Sequence, residues 1–160
     1  MRTLSVLIFS ALSAAAQAQM SVQEYPLPRG ITAHDVWADA AADGPVWFSG
    51  QGSGNAGRLD PKSGDLKVYD APKGRGPYGI HATPDGTVYF ASLAGSYVGR
   101  IDAATHKVQV IEPPTRDQGA RRVWSDSKGM VWVSEWNSGN LSRYDPKTGA
   151  SKAYSKPNQP

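Results

Sequence analysis

No cysteine occurs anywhere in the 160 residues. That excludes disulfides, thiolate metal ligands and a cysteine nucleophile. Excess charge is also scarce: Lys+Arg 17 stand against Asp+Glu 14, a formal net charge of +3. The basic residues are scattered, so the chain carries no electrostatic footprint for nucleic acid. Apolar runs are confined to one stretch, Leu4 to Ala15. It is shorter than the ~20 apolar residues of a membrane helix, and no second candidate follows it.

Turn formers and aromatics are what the chain has in quantity, with Gly 17, Pro 12, Trp 5 and Tyr 7. Glycine and proline disfavour long helices and suit many short strands joined by turns. The length suits about one domain.

Residues 1–18 read as a secretory signal. Arg2 supplies a positive start, the apolar run follows, and Ala16-Gln17-Ala18 is a small-x-small cleavage site. The competing readings are a membrane anchor and a buried helix. Cleavage predicts a periplasmic or secreted chain with no membrane attachment, and the lack of cysteine is compatible with that.

Residues 19–160 repeat one pattern three times. Gly44-Pro45-Val46-Trp47-Phe48 is followed by Gly57-Arg58-Leu59-Asp60-Pro61-Lys62-Ser63-Gly64. Gly86-Thr87-Val88-Tyr89-Phe90 is followed by Gly99-Arg100-Ile101-Asp102, and Gly129-Met130-Val131-Trp132-Val133 by Ser142-Arg143-Tyr144-Asp145-Pro146-Lys147-Thr148-Gly149. Val46, Val88 and Val131 are 42 and 43 residues apart, and Arg58, Arg100 and Arg143 keep the same intervals. A period in the low forties with aromatic strands indicates an all-β chain of β-propeller blades. The repeats span about residues 30–72, 76–114 and 119–156. In the second copy the expected strands are Tyr78–Thr83, Thr87–Ser92, Tyr97–Asp102 and Lys107–Glu112. Both faces of each sheet carry apolar groups, so each must be covered twice, as a blade between neighbours is.

Gly76-Pro77-Tyr78-Gly79-Ile80, Pro84-Asp85-Gly86-Thr87-Val88-Tyr89-Phe90 and Gly99-Arg100-Ile101-Asp102 resemble the blade signature of the virginiamycin B lyase (streptogramin lyase) family. Val131-Trp132-Val133-Ser134-Glu135-Trp136 resembles that family's blade with a glutamate after the aromatic strand, and Tyr25-Pro26-Leu27-Pro28 its recurrent interblade segment. The resemblance covers nearly all of residues 19–160. It implies a seven-bladed propeller and a lyase that opens cyclic depsipeptide antibiotics by elimination at the ester linkage. It further implies a magnesium ion held by glutamates, and a histidine that moves a proton.

Blade geometry says where such chemistry would sit. The start of the innermost strand lies beside the end of the second, so both reach one face near the axis. Elimination needs a base near the acidic C–H and a group that stabilises negative charge on oxygen. His34 is the candidate catalytic histidine; the alternative is a channel-lining histidine bonded to Asp35 or to a turn. Glu135 is the candidate magnesium ligand by resemblance, with a salt bridge to Arg121 or Arg122 as the alternative. Arg121 and Arg122 would grip an anionic ligand at the mouth, or form a solvated basic corner. Tyr78, Trp124 and Trp136 would make an aromatic floor for a small-molecule or cyclic peptide ligand, or serve blade packing. His81 and His106 read as structural or solvent-facing.

Two departures from the family pattern stand out. The blade with Glu135-Trp136 has Arg121 where the family carries its histidine, and Gln51 and Ser92 stand where further glutamates would be. Moreover, residues 19–160 amount to a little over three blades, whereas closed propellers typically have four to eight. The chain therefore reads as an incomplete part of a longer propeller, or as one that closes by self-association through its open blade flanks. A sugar-lactonase-like hydrolase and a non-catalytic binding segment are the alternative functions.

Overall fold

The computed structural model describes residues 20–38, 44–155 and 157. Residues 1–18, read from the sequence as a signal, lie outside them. The described residues form twelve strands and no helix, in three four-stranded antiparallel sheets whose strands follow chain order. Blade I holds β1 (Val36–Ala38), β2 (Val46–Gly50), β3 (Asn55–Leu59) and β4 (Leu66–Asp70). Blade II holds β5 (Pro77–Ala82), β6 (Val88–Ser92), β7 (Tyr97–Ile101) and β8 (Val108–Ile111). Blade III holds β9 (Ala120–Ser125), β10 (Val131–Glu135), β11 (Leu141–Tyr144) and β12 (Ser151–Tyr154). The strands expected for the second repeat agree with β5–β8 to within a residue or two.

Turn chemistry sets these boundaries. At the β3–β4 turn Lys62 N donates to Asp60 Oδ1 at 2.9 Å; Thr105 N and Lys147 N do the same for Asp102 and Asp145, also at 2.9 Å. These donors hold all three carboxyls below their ordinary pKa. The turns leave through left-handed residues, Gly64 at φ 76°, His106 at 56° and Gly149 at 74°. His106 thus occupies a glycine position, a conformation few other side chains accept.

Strand alternation gives every blade two faces. The face turned toward the following blade, here called trailing, carries Trp37 and Trp47 in blade I and His81 and Tyr89 in blade II. The opposite, leading face carries Ile80 and Phe90 in blade II and Val123 and Val133 in blade III. Trp47 and Ala56 pack on Ile80, Val88 and Phe90 to make one core cluster. Tyr89, Ala91 and Val98 pack on Val123, Val131 and Val133 to make the other. The core is therefore two interblade layers, with blade II covered on both sides.

Within the leading faces an aromatic lies flat on a glycine. A Cβ on Gly57 would stand 2.0 Å from Phe48 Cζ, and one on Gly99 2.0 Å from Phe90 Cζ. Blade III replaces the pair with Val133 opposite Ser142, a smaller side chain facing a larger one.

Candidate functional site

The innermost strands β5 and β9 approach closely because Gly79 has no side chain. A Cβ there would lie 2.7 Å from the Arg121 carbonyl oxygen and 2.9 Å from Arg122 Cα. This close approach brings Tyr78, at the start of β5, against the two arginines of β9.

Tyr78 is the centre of the resulting cluster. The exposed His34 ring stands 4.2 Å from it, centroid to centroid, at an interplanar angle of 56°. Arg121 Nη2 donates to Tyr78 Oη at 3.2 Å. The Arg121 guanidinium carbon lies 5.0 Å from the Tyr78 ring centroid and 4.4 Å from that of Trp136, within cation–π range of both. Arg122 lies 5.4 Å from the Tyr78 ring and forms an ion pair with Asp35. Ser49 locks the backbone beneath: its hydroxyl donates to the Tyr78 carbonyl and accepts from Asp35 N at 3.2 Å. His34 N in turn donates to Ser49 O at 2.8 Å.

His34, Tyr78, Arg121, Arg122 and Trp136 thus converge on one mouth. Beside it is a pocket of about 280 Å³, whose lining includes Arg121, Glu135, Trp136 and Asn140. Of the two readings of Trp124, aromatic floor and blade face, the structure gives the blade face. It stands opposite Trp132 in mid-strand and faces the open flank of blade III, because alternation along β9 sends it there.

Glu135 is directed inward. Only 2% of it is exposed, and its two carboxylate oxygens accept hydrogen bonds from the Ser138 and Ser142 hydroxyls. Its carboxylate is held by these serines rather than by an arginine. Among the described residues no group of three or more His, Cys, Asp or Glu side chains could hold a metal ion. Magnesium takes several oxygen ligands, usually one or two carboxylates with water. A single buried carboxylate with both oxygens engaged does not fit that ion.

Sequence reasoning missed Asp35 as the partner of Arg122, and the two serines as partners of Glu135. The second had a signal: Ser142 occupies the repeat position of Gly57 and Gly99. His81 accepts or donates a 2.9 Å hydrogen bond with Ser125 across the blade II–III joint, and His106 stands against Tyr69 with centroids 5.8 Å apart. No helix among the described residues is long and apolar enough to cross a membrane.

Three four-stranded blades fanned around a cationic, aromatic mouth define a β-propeller protein. The model of the virginiamycin B lyase family matches residues 13–159, and the chain belongs to that family. Virginiamycin B lyase from Staphylococcus aureus, solved as a catalytically inactive variant with quinupristin, superposes with a TM-score of 0.76 at 26% identity, over 88% of this chain and 47% of that one. A streptogramin B lyase structure gives 0.67 at 24%, over 76% and 40%, and hydrazine synthase of Kuenenia stuttgartiensis 0.63 at 14%, over 83% and 38%. The last two are likenesses of fold alone. This chain spans about half the length of the Staphylococcus lyase it matches. No curated protein sequence matches it significantly.

Proposed function

We propose that the mouth around Tyr78 binds a cyclic depsipeptide or a similar aromatic-bearing peptide and promotes lyase-type elimination at an ester linkage. The convergence of His34 and Arg121 on Tyr78, at 4.2 Å between rings and 3.2 Å between polar atoms, carries this reading. In the proposed step the His34 imidazole accepts the proton from the acidic C–H. The ester C–O bond breaks as a carbon–carbon double bond forms, and Arg121 faces the charge that gathers on oxygen. Tyr78 and Trp136 offer ring faces to the ligand. The signal segment read at residues 1–18 supports action in the periplasm or outside the cell.

A second reading, ligand binding without turnover, is favoured by the engagement of Glu135 with two serines. A lactonase-type hydrolase draws no support from the described residues, which gather no acidic cluster.

The test is incubation of the purified chain with a type B streptogramin, with and without magnesium, followed by mass spectrometry. Ring-opened product that disappears in His34→Ala and Arg121→Ala is the expected result. Unchanged antibiotic at high protein concentration rejects the lyase reading. Saturable quenching of tryptophan fluorescence in the same mixture then identifies binding alone. Product that survives His34→Ala rejects the assignment of the histidine, and product that appears only with magnesium restores a metal to the reaction.

A further inference from the structure

The two joints between blades differ at three repeat positions. In the joint of blades I and II, Trp47 and Tyr69 stack with ring centroids 5.7 Å apart, and His106 meets Tyr69 edge-on at 5.8 Å. Strand register gives their counterparts in the joint of blades II and III. Tyr89 stands opposite Arg100 as Trp47 stands opposite Arg58, and Ile111 stands opposite Val98 as Tyr69 stands opposite Ala56. Gly149 holds the left-handed turn exit that His106 holds one blade earlier. Every replacement is smaller, and this joint keeps a cavity of about 450 Å³. Small-molecule sites span about 300–1,000 Å³.

All of the lining comes from blades II and III, at the strand ends away from the mouth. β5 begins at the mouth and runs into the β5–β6 turn, which borders the cavity together with the β9–β10 and β11–β12 turns. Tyr89, Pro84 and Pro146 make its apolar walls, and the cations Arg100, Lys128 and Lys147 share the rest with two carboxylates. The carboxylates are engaged within their own blades. Asp126 Oδ1 accepts from Lys128 N at 2.9 Å and Met130 N at 3.1 Å, and its Oδ2 accepts from Trp132 Nε1 at 2.8 Å. Asp85 Oδ1 accepts from Thr87 N at 3.1 Å and from the Thr83 hydroxyl. The cations are left over. Among the described residues neither lysine ammonium forms an ion pair. Arg100 reaches Gln109 at 3.2 Å and Asp102 at 3.6 Å through its Nη atoms, but its Nε is buried without a partner. Buried donors are nearly always paired, so this one marks the joint as incomplete.

We propose that this cavity binds a small organic carboxylate with a flat aromatic body. The ring supplies the bulk that Trp47, Tyr69 and His106 supply in the preceding joint, lying against Tyr89 between the two prolines. The carboxylate meets the positive field of Arg100, Lys128 and Lys147. An inorganic anion answers the charge and leaves the apolar walls bare; a neutral aromatic does the reverse. The site is separate from the chemistry proposed at the mouth and stands without it.

Benzoate, benzyl alcohol and inorganic phosphate are the probes, each titrated into the isotope-labelled chain while the amide resonances of Thr87 and Gly129 are followed by NMR. Benzoate is expected to shift both saturably with a Kd of about 1 mM, and the other two to bind about tenfold more weakly or worse. Lys128 and Lys147 are exposed, so their joint replacement by alanine leaves the fold intact and is expected to weaken benzoate about tenfold. Tyr89→Trp restores the larger ring of blade I and is expected to abolish the shifts, with circular dichroism confirming the β fold. Should that variant fail to fold, the lysine pair decides alone. Shifts that do not saturate by about 10 mM benzoate, phosphate or benzyl alcohol that binds as tightly as benzoate, or affinity unchanged in the lysine variant overturns the proposal. So does undiminished binding to a folded Tyr89→Trp chain.

Discussion

The guanidinium carbon of Arg121 lies 4.4 Å from the ring centroid of Trp136, and the same guanidinium is hydrogen-bonded to Tyr78. Trp136 is 63% exposed, so the contact is a mouth feature more than a core one. Exposed cation–π pairs are worth about 0.5–1 kcal/mol. Trp136→Ala is expected to shift stability by no more than that in denaturant titration. Binding of a type B streptogramin, followed by calorimetry, is expected to weaken about tenfold, ~1.4 kcal/mol.

Glu135 behaves as a buried acceptor for two hydroxyls. Glu135→Ala removes both acceptors; the exposed Ser138 hydroxyl can turn to water, but the buried Ser142 hydroxyl loses its partner, at about 1–3 kcal/mol for a group left unsatisfied in the interior. Glu135→Gln keeps the volume and one acceptor oxygen, and the hydroxyls can rotate to suit the amide. Urea denaturation is expected to rank stability as native, then Gln, then Ala. An Ala variant as stable as the native chain would remove the structural role assigned to this carboxylate.

The Phe90–Gly99 contact leaves no room for a methyl group. Gly99→Ala is expected to destabilise by about 1–3 kcal/mol through overpacking. Blade III shows the remedy, since Val133 faces Ser142 at the same two positions. The double variant Phe90→Val with Gly99→Ser is therefore expected to be more stable than Gly99→Ser alone. The coupling is read from a double-mutant cycle in denaturant.

His81 carries a pH dependence. Burial disfavours its charged form and lowers its pKa from the ordinary 6.5. Below 6.5 the unfolded chain takes up a proton that the folded chain refuses until the lower folded value is reached. Stability is therefore intact above 6.5 and is lost as the pH falls through that window. Thermal midpoints of the native chain and His81→Gln, compared from about pH 7.5 to about pH 5, are expected to converge or cross as the pH falls.

The blades could be read from the chain because their determinants are local. Asp-Pro-Lys turns, β-branched and aromatic alternation and the 42- and 43-residue intervals act within one repeat. The inward direction of Glu135 was also available, since alternation puts it on the side of Val131 and Val133. The pairing of Arg122 with Asp35 was not. It joins side chains 87 residues apart, and depends on how far the blades turn about the axis, which no single repeat encodes. Trp124 was left between two readings for a related reason. Its ring type suits a binding floor and a blade joint equally, and only its register beside Trp132 decides between them.

The Asp35–Arg122 ion pair joins the first blade to the third, passing over the Tyr78 ring of the second. In an array coupled only through adjacent units, a terminal unit can fray while the rest holds. Here fraying of either outer blade must also break this ion pair. Both partners are partly solvated, so the pair adds only about 0–1 kcal/mol, yet it gives the outer blades a direct line of communication. A ligand anion that competes with Asp35 for Arg122 at the mouth would release the start of blade I from the third blade.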